Sequence, residues 1–294
     1  MQRKKRMREL IGKKLNNVEF LERDGKFFGR LTSSGVCMEY VIPPVTIQSP
    51  IEAVLMDLDG TTVTSEEFWI YVIERTMQEL LKNNHFSLEE IDVPYVSGFT
   101  TAEHLTYCIQ KYAPDKNLNK AIEIYHQIAK FELDEILAGR GRSEAFKPAE
   151  GLKEFLYALK ARGIKIGLVT SGLDYKAIPE IVAVFRVLDM GDPLTFYDSI
   201  ITGGHRKDTK EYGTLGEIAA KPHPWVYTEI AYMGLKVKDP IRVIGIEDSA
   251  AGVMALRFAG FPVIGLNGGN ITQSGLDCLC YKKVNTLKEI LTEI

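Results

Sequence analysis

The sequence predicts an α/β fold: a mainly parallel, Rossmann-like sheet with an inserted helical cap and a small β extension at the N-terminus. Three observations predict it. Short apolar runs recur at Ile51–Leu58, Ile164–Thr170, Ser199–Thr202, Ile241–Ile246 and Phe261–Leu266. Helical patterns such as Gly151–Arg162 and Ser249–Ala259 separate several of them. Apolar strands alternating with helices build parallel sheets covered on both faces. A long helical block, residues 65–148, breaks this rhythm after the first run.

The elements follow in order. The basic stretch Met1–Lys14 is not expected to be a signal peptide, because no apolar segment of secretory length follows it; it reads as a solvated tail or first helical turn, with an organelle transit peptide as the alternative. Residues 15–42 alternate between apolar runs and turn signals, Asp24-Gly25 and Ser34-Gly35, which predicts an antiparallel meander. Pro43-Pro44 and Pro50 read as a linker. Within the helical block, Glu66–Lys82, Thr101–Lys111 and Asn117–Ala138 carry apolar residues at spacings of three and four. The expected division is 1–50 as extension, 51–64 with 149–294 as core, and 65–148 as cap. Leu287–Ile294 reads as a closing helix.

Composition excludes several function classes. The 294 residues are ample for a sizeable core. A net charge of -3 supplies no global basic field for nucleic acid. No run approaches the roughly 18 apolar residues of a membrane span. Cys37, Cys108, Cys278 and Cys280 are too few and too scattered for a disulfide scaffold, and no partner pair gives Cys278-x-Cys280 zinc-site spacing. Free or buried thiols in a cytoplasmic protein are expected.

Four clusters carry chemistry: Asp57-Leu58-Asp59-Gly60-Thr61, Thr170-Ser171-Gly172, Lys221-Pro222 and Glu247-Asp248-Ser249. Three of them fall at strand ends, where parallel α/β sheets bind ligands. Carboxylates converging at one edge repel one another, and a hard divalent cation with oxygen ligands, Mg²⁺, resolves that. Carboxylates beside a lysine and hydroxyls also suit a phosphoryl group, whose charge the cation and Lys221 offset.

The ordered set DLDGT (Asp57–Thr61), VTSG (Val169–Gly172), KPHP (Lys221–Pro224) and IEDSAAG (Ile246–Gly252) resembles the haloacid dehalogenase-like superfamily of phosphotransferases. The resemblance covers roughly residues 51–66 and 146–270, with the helical block in the place of that family's cap. It implies Asp57 as nucleophile and metal ligand. It implies Asp59 as general acid and base, with its carbonyl on the metal. Thr170, with Ser171 and Gly172, would bind phosphate, and Lys221 would pair with Asp57 and the phosphate. Asp248 would hold the metal, with Glu247 as a second acidic ligand or a supporting partner. Ser249 would open a helix facing the anionic site. In the cap, the segment with Gly98 and Thr100 would face substrate. Lone His104 reads as structural, and Arg140, Arg142 and Lys147 as a solvated basic turn.

Departures from the family pattern are Ala220 before the lysine and a separation of 51 positions between Thr170 and Lys221. Arg186–Leu194 and Gly203–Glu217 supply much of the excess, the second as a loop at the site's mouth or a surface insertion. The expected activity is Mg²⁺-dependent hydrolysis of a small phosphorylated metabolite through an aspartyl-phosphate. A phosphomutase of the β-phosphoglucomutase type is the alternative. Its relatives carry a His about twelve positions after the nucleophile, where this chain has Trp69. Asp59 argues against dehalogenation and C–P cleavage. A binding module that kept the fold alone is a third reading, but none of the catalytic set is eroded. The meander carries no motif, leaving room for a dimerisation element and hence a homodimer.

Overall fold

The computed structural model describes residues 6–15, 17–33, 35–92, 101–203 and 220–294. The chain divides into two compact units. One comprises Met1–Val63, Pro148–Ala177 and Leu188–Ile294, and the other Thr64–Lys147 with Ile178–Val187.

In the first unit, strands β1 (Lys14–Leu15), β2 (Val18–Arg23), β3 (Lys26–Ser33) and β4 (Val36–Ile42) form an antiparallel sheet in chain order. The alternation puts Val18, Phe20, Phe27, Leu31 and Ile42 on a buried face, where they share one apolar cluster with core residues such as Val253 and Phe258. Each large apolar side chain buried this way contributes about 1.5–3 kcal/mol.

The core sheet consists of β5 (Ala53–Asp57), β6 (Lys165–Val169), β7 (Ser199–Ile201), β8 (Val243–Glu247), β9 (Val263–Leu266) and β10 (Lys282–Val284). Its order is β10-β9-β8-β5-β6-β7, and every pairing is parallel. All residues of β5 and β8 are buried, as expected of central strands covered on both faces. The apolar runs therefore predict five strands. The sixth, Lys-Lys-Val at the sheet edge, is too short and too polar to show a pattern.

The second unit is helical: α1 (Glu66–Leu81), α2 (Thr101–Tyr112) and α3 (Leu118–Leu137) match the three periodic segments to within a residue or two. Asn117 caps α3, its side chain accepting from the backbone N–H of Lys120. Inside, the Phe68 ring lies 4.6 Å from Phe146 and 5.0 Å from Trp69. Asp92 is fully buried and accepts from Tyr107, Lys111 and Tyr112 of α2. Trp69 and His104 sit in this unit, with His104 buried on α2.

Returning to the first unit, α4 (Leu152–Ala161) follows Gly151, and α5 (Asp174–Val187) runs on into the helical unit. Then come α6 (Trp225–Glu229), α7 (Ala250–Phe258) and α8 (Leu287–Ile290). No helix among the described residues is long and apolar enough to cross a membrane. Cys108, Cys278 and Cys280 are buried thiols and Cys37 an exposed one.

Candidate active site

The parallel strands bring their C-terminal ends to one edge of the sheet. Asp57 ends β5, Thr170 follows β6, and Glu247 ends β8 with Asp248 next. The register is close, with Asp57 beside Val169 and Met56 beside Ile246. The central strand β5 thus meets β6 on one side and β8 on the other, which is where such sheets bind ligands.

Lys221 reaches this edge from the turn before α6. Its ammonium donates to Asp57 Oδ1 and, at 2.7 Å, to Glu247 Oε1. Its side chain and those of both acids are almost wholly buried. Carboxylate oxygens of Asp57, Glu247 and Asp248 lie within 4.8 Å of one another. Three carboxylates face one ammonium, so negative charge is in excess. Burial, then the Glu247 charge, pushes the Asp57 carboxyl well above the usual range, against the pull of Lys221. Burial and Glu247 likewise push Asp248 up to about 6. Burial disfavours the Lys221 charge, but Asp57 and Glu247 outweigh it and hold the ammonium above its ordinary value. An all-oxygen donor set with surplus negative charge fits a hard divalent cation such as Mg²⁺.

Asp248 has little room to move. A Cβ on Gly60, whose φ is +80°, would lie 2.3 Å from Asp248 Oδ2. A Cβ on Gly269 would lie 2.2 Å from the Asp248 carbonyl oxygen. The two glycines let the backbone close round the carboxylate, and Thr61 Oγ1 donates to its Oδ1 at 3.4 Å.

Glu247 is fully buried and its oxygens are engaged. Beside Lys221, Tyr227 Oη donates to Oε1 at 2.5 Å and Ser249 Oγ to Oε2 at 3.0 Å. Ser249 also caps α7, accepting from Gly252 N–H at 3.0 Å, so this helix opens toward the acids as its sequence predicts. Tyr227 escaped the sequence reading. Its signal is a Tyr six positions after Lys221, in the first turn of α6. The Lys221 ammonium lies 5.0 Å from its ring centre.

Thr170 is buried, and its Oγ1 accepts from Gly172 N–H at 2.9 Å. Ser171 Oγ accepts the backbone N–H of Lys221 at 3.1 Å. Gly172 O accepts from Gly203 N–H at 2.8 Å, which ties the turn to the end of β7. Asp59 is exposed beyond the buried Asp57 and bridges to Val63, while Thr62 Oγ1 donates to the Asp57 carbonyl at 2.6 Å. The structure therefore brings together Asp57, Lys221, Glu247, Asp248 and the Thr170–Gly172 turn. Gly98, Thr100 and most of Gly203–Glu217 lie outside the described residues. Arg140 pairs with Glu135, Lys147 with Glu67, and the Arg142 guanidinium sits 4.3 Å from the Tyr71 ring centre.

A family model described as haloacid dehalogenase-like hydrolase matches residues 51–260. The phosphorylated carbohydrates phosphatase of Thermotoga maritima is 25% identical over 249 residues, covering 82% of this chain and 100% of that protein. Among solved structures, a HAD-superfamily hydrolase of subfamily IA from Geobacter sulfurreducens is similar, with a TM-score of 0.57 and 16% identity, over 83% of this chain and 96% of that one. CbbY from Rhodobacter sphaeroides, solved with xylulose-(1,5)bisphosphate, gives a TM-score of 0.56 and 18% identity, over 81% of this chain and 96% of that one. Both structural likenesses are likenesses of fold.

Proposed function

The chain belongs to the haloacid dehalogenase-like hydrolase family, and we propose that it is a Mg²⁺-dependent phosphatase of a small phosphorylated metabolite, with Asp57 as nucleophile. The observation that carries this reading is the buried Lys221 ammonium shared by Asp57 and Glu247, with Asp248 beside them. The relative from Thermotoga maritima, a phosphatase of phosphorylated carbohydrates, favours a sugar phosphate as the substrate class.

The chemistry runs on this chain's own groups. The Asp57 carboxylate attacks phosphorus, forming an acyl-phosphate bond as the ester P–O bond breaks. The departing alkoxide takes a proton from the Asp59 carboxyl. Water then attacks the acyl phosphate and gives its proton to the Asp59 carboxylate, which releases phosphate and restores Asp57. Lys221 stays protonated throughout and balances charge on Asp57 and the phosphoryl oxygens. The Thr170–Gly172 turn holds the phosphate. Asp57, Asp248 and the Asp59 carbonyl would hold Mg²⁺, and Glu247, whose oxygens face Lys221, Tyr227 and Ser249, supports rather than ligates. When bound, the cation supplies charge neutralisation for the phosphoryl group.

The test is phosphate release from a panel of phosphometabolites, with Mg²⁺ and with chelator. Release confined to the Mg²⁺ arm, with Asp57→Asn lowering turnover on the order of 10³-fold or more, is expected. Wild-type turnover in Asp57→Asn sinks the reading. A sugar-phosphate isomer formed without phosphate release would replace it with a phosphomutase.

A further inference from the structure

The N-terminal sheet lies outside the residues matched by the family model, which begins at residue 51. It nevertheless reaches the turn that carries Lys221. Tyr40, on the inner face of β4, stacks on Phe258 of α7, with ring centres 5.5 Å apart and planes 10° from parallel. Phe258 in turn fills the space over Gly29 of β3, where a Cβ would lie 2.1 Å from its ring. Arg257, fully buried next to Phe258, donates to the carbonyls of Phe261 and Pro43, so the linker after β4 is tied to the same helix end.

From this anchored position Tyr40 meets His223. Tyr40 Oη is 3.1 Å from His223 Nε2, and the two rings meet edge-on at 6.0 Å. The direction of the bond is fixed by its neighbours. Trp225 N–H donates to His223 Nδ1 at 3.1 Å, so that nitrogen carries the lone pair and Nε2 carries the proton. His223 Nε2–H therefore donates to Tyr40 Oη, whose own proton goes to Met38 Sδ at 3.4 Å. Burial holds the imidazole below its ordinary pKa, in keeping with this neutral form. The bond from Trp225 also satisfies one of the orphan donors at the start of α6. That helix presents Tyr227 to Glu247, and the turn before it presents Lys221 to Asp57.

We infer that Tyr40 of the N-terminal extension is a positioning residue for the Lys221–Pro224 turn, acting through His223. The inference rests on the phosphatase reading for its kinetic consequence and on geometry alone for its structural one. Tyr40 touches no reacting atom. It holds His223 in the tautomer and orientation that fix both the turn and the start of α6. A meander with no catalytic motif thereby becomes part of the catalytic apparatus.

The test uses the full chain. Tyr40→Phe keeps the stack on Phe258 and removes the hydroxyl. His223→Asn keeps an acceptor for Trp225 N–H and cannot reach Tyr40. Loss of one neutral hydrogen bond predicts a fall in kcat of about three- to tenfold for Tyr40→Phe, with KM little changed and the thermal midpoint nearly that of the wild type. The double variant is expected to be no slower than the slower single variant, because both remove the same bond. Val41→Thr, on the opposite face of β4, is the control and keeps wild-type kcat. In ¹⁵N NMR, His223 is expected to be neutral with its proton on Nε2, and Tyr40→Phe is expected to shift both its ring nitrogens and the Lys221 amide. Protonation on Nδ1, a Lys221 amide unmoved by Tyr40→Phe, additive kinetic losses, or an unchanged kcat in an active enzyme would each overturn the inference. A wild type that releases no phosphate instead removes the phosphatase reading, and the NMR arms then decide the positioning role by themselves.

Discussion

Ser171 and Lys221, 50 positions apart, are joined by a hydrogen bond from the Lys221 backbone N–H to Ser171 Oγ at 3.1 Å. The residue expected to help bind phosphate therefore also ties the lysine turn, through its hydroxyl, to the end of β6. Ser171→Ala is expected to lower kcat by about tenfold, with Lys221 less well held over Asp57. Steady-state kinetics check this, and Ser171→Thr, which retains the acceptor, should recover most of the loss. Equal activity in the alanine and threonine variants at wild-type level would rule the link out.

Tyr227 presents a second test. Its hydroxyl is one of the donors to Glu247 beside Lys221, and the residue is wholly buried. Tyr227→Phe leaves that carboxylate one donor short, at a cost of about 1–3 kcal/mol in stability. Urea unfolding with and without Mg²⁺ measures it. A midpoint identical to the wild type under both conditions would show that the bond contributes nothing.

Gly269 is the third. Alanine there would set a Cβ 2.2 Å from the Asp248 carbonyl oxygen, so the strand end must shift. The expected outcome of Gly269→Ala is a weakening of Mg²⁺ affinity on the order of tenfold to a hundredfold, the usual cost of disturbing what supports a metal ligand. Isothermal titration with Mg²⁺ reads it directly, and unchanged affinity would mean that Asp248 is free to adjust.

Asp92 gives a pH-dependent prediction in the helical unit. Burial opposes its ionisation, but hydrogen bonds from Lys111, Tyr107 and Tyr112 prevail and hold its carboxyl well below the usual range. A depressed carboxyl contributes stability that is complete above its unfolded pKa, near 3.8, and fades as pH falls toward the folded value. Asp92→Asn should therefore cost about 2 kcal/mol at pH 7, and the gap to wild type should narrow below about pH 4. Thermal melts from pH 3 to pH 7 test the sign, and a gap that widens on acidification would contradict it.

Much of the fold was legible because burial writes itself into local patterns. Ala53–Met56 and Val243–Ile246 are apolar throughout because β5 and β8 are covered on both faces. The helices of the second unit show their spacing because one face of each is buried. β10 left no trace, being a three-residue edge strand with two lysines. At the site, residues at the ends of strands could be named in advance, since strand position and side-chain chemistry are both local. Tyr227 could not, because its place six positions after Lys221 does not show that its hydroxyl meets Glu247, 20 positions further along the chain.

The sequence by itself determined the α/β layering, the order of the strands' chemistry along the chain and the identity of the acids and the lysine. Tertiary structure alone decided how those groups share their bonds. It gave the Lys221 ammonium to both Asp57 and Glu247, closed Gly60 and Gly269 round Asp248, and set Tyr40 against His223 across 183 positions of sequence. The physical reason is range. Periodicity and turn chemistry act over a few residues, whereas a hydrogen bond between distant segments exists only once the packing of the whole core has fixed both ends.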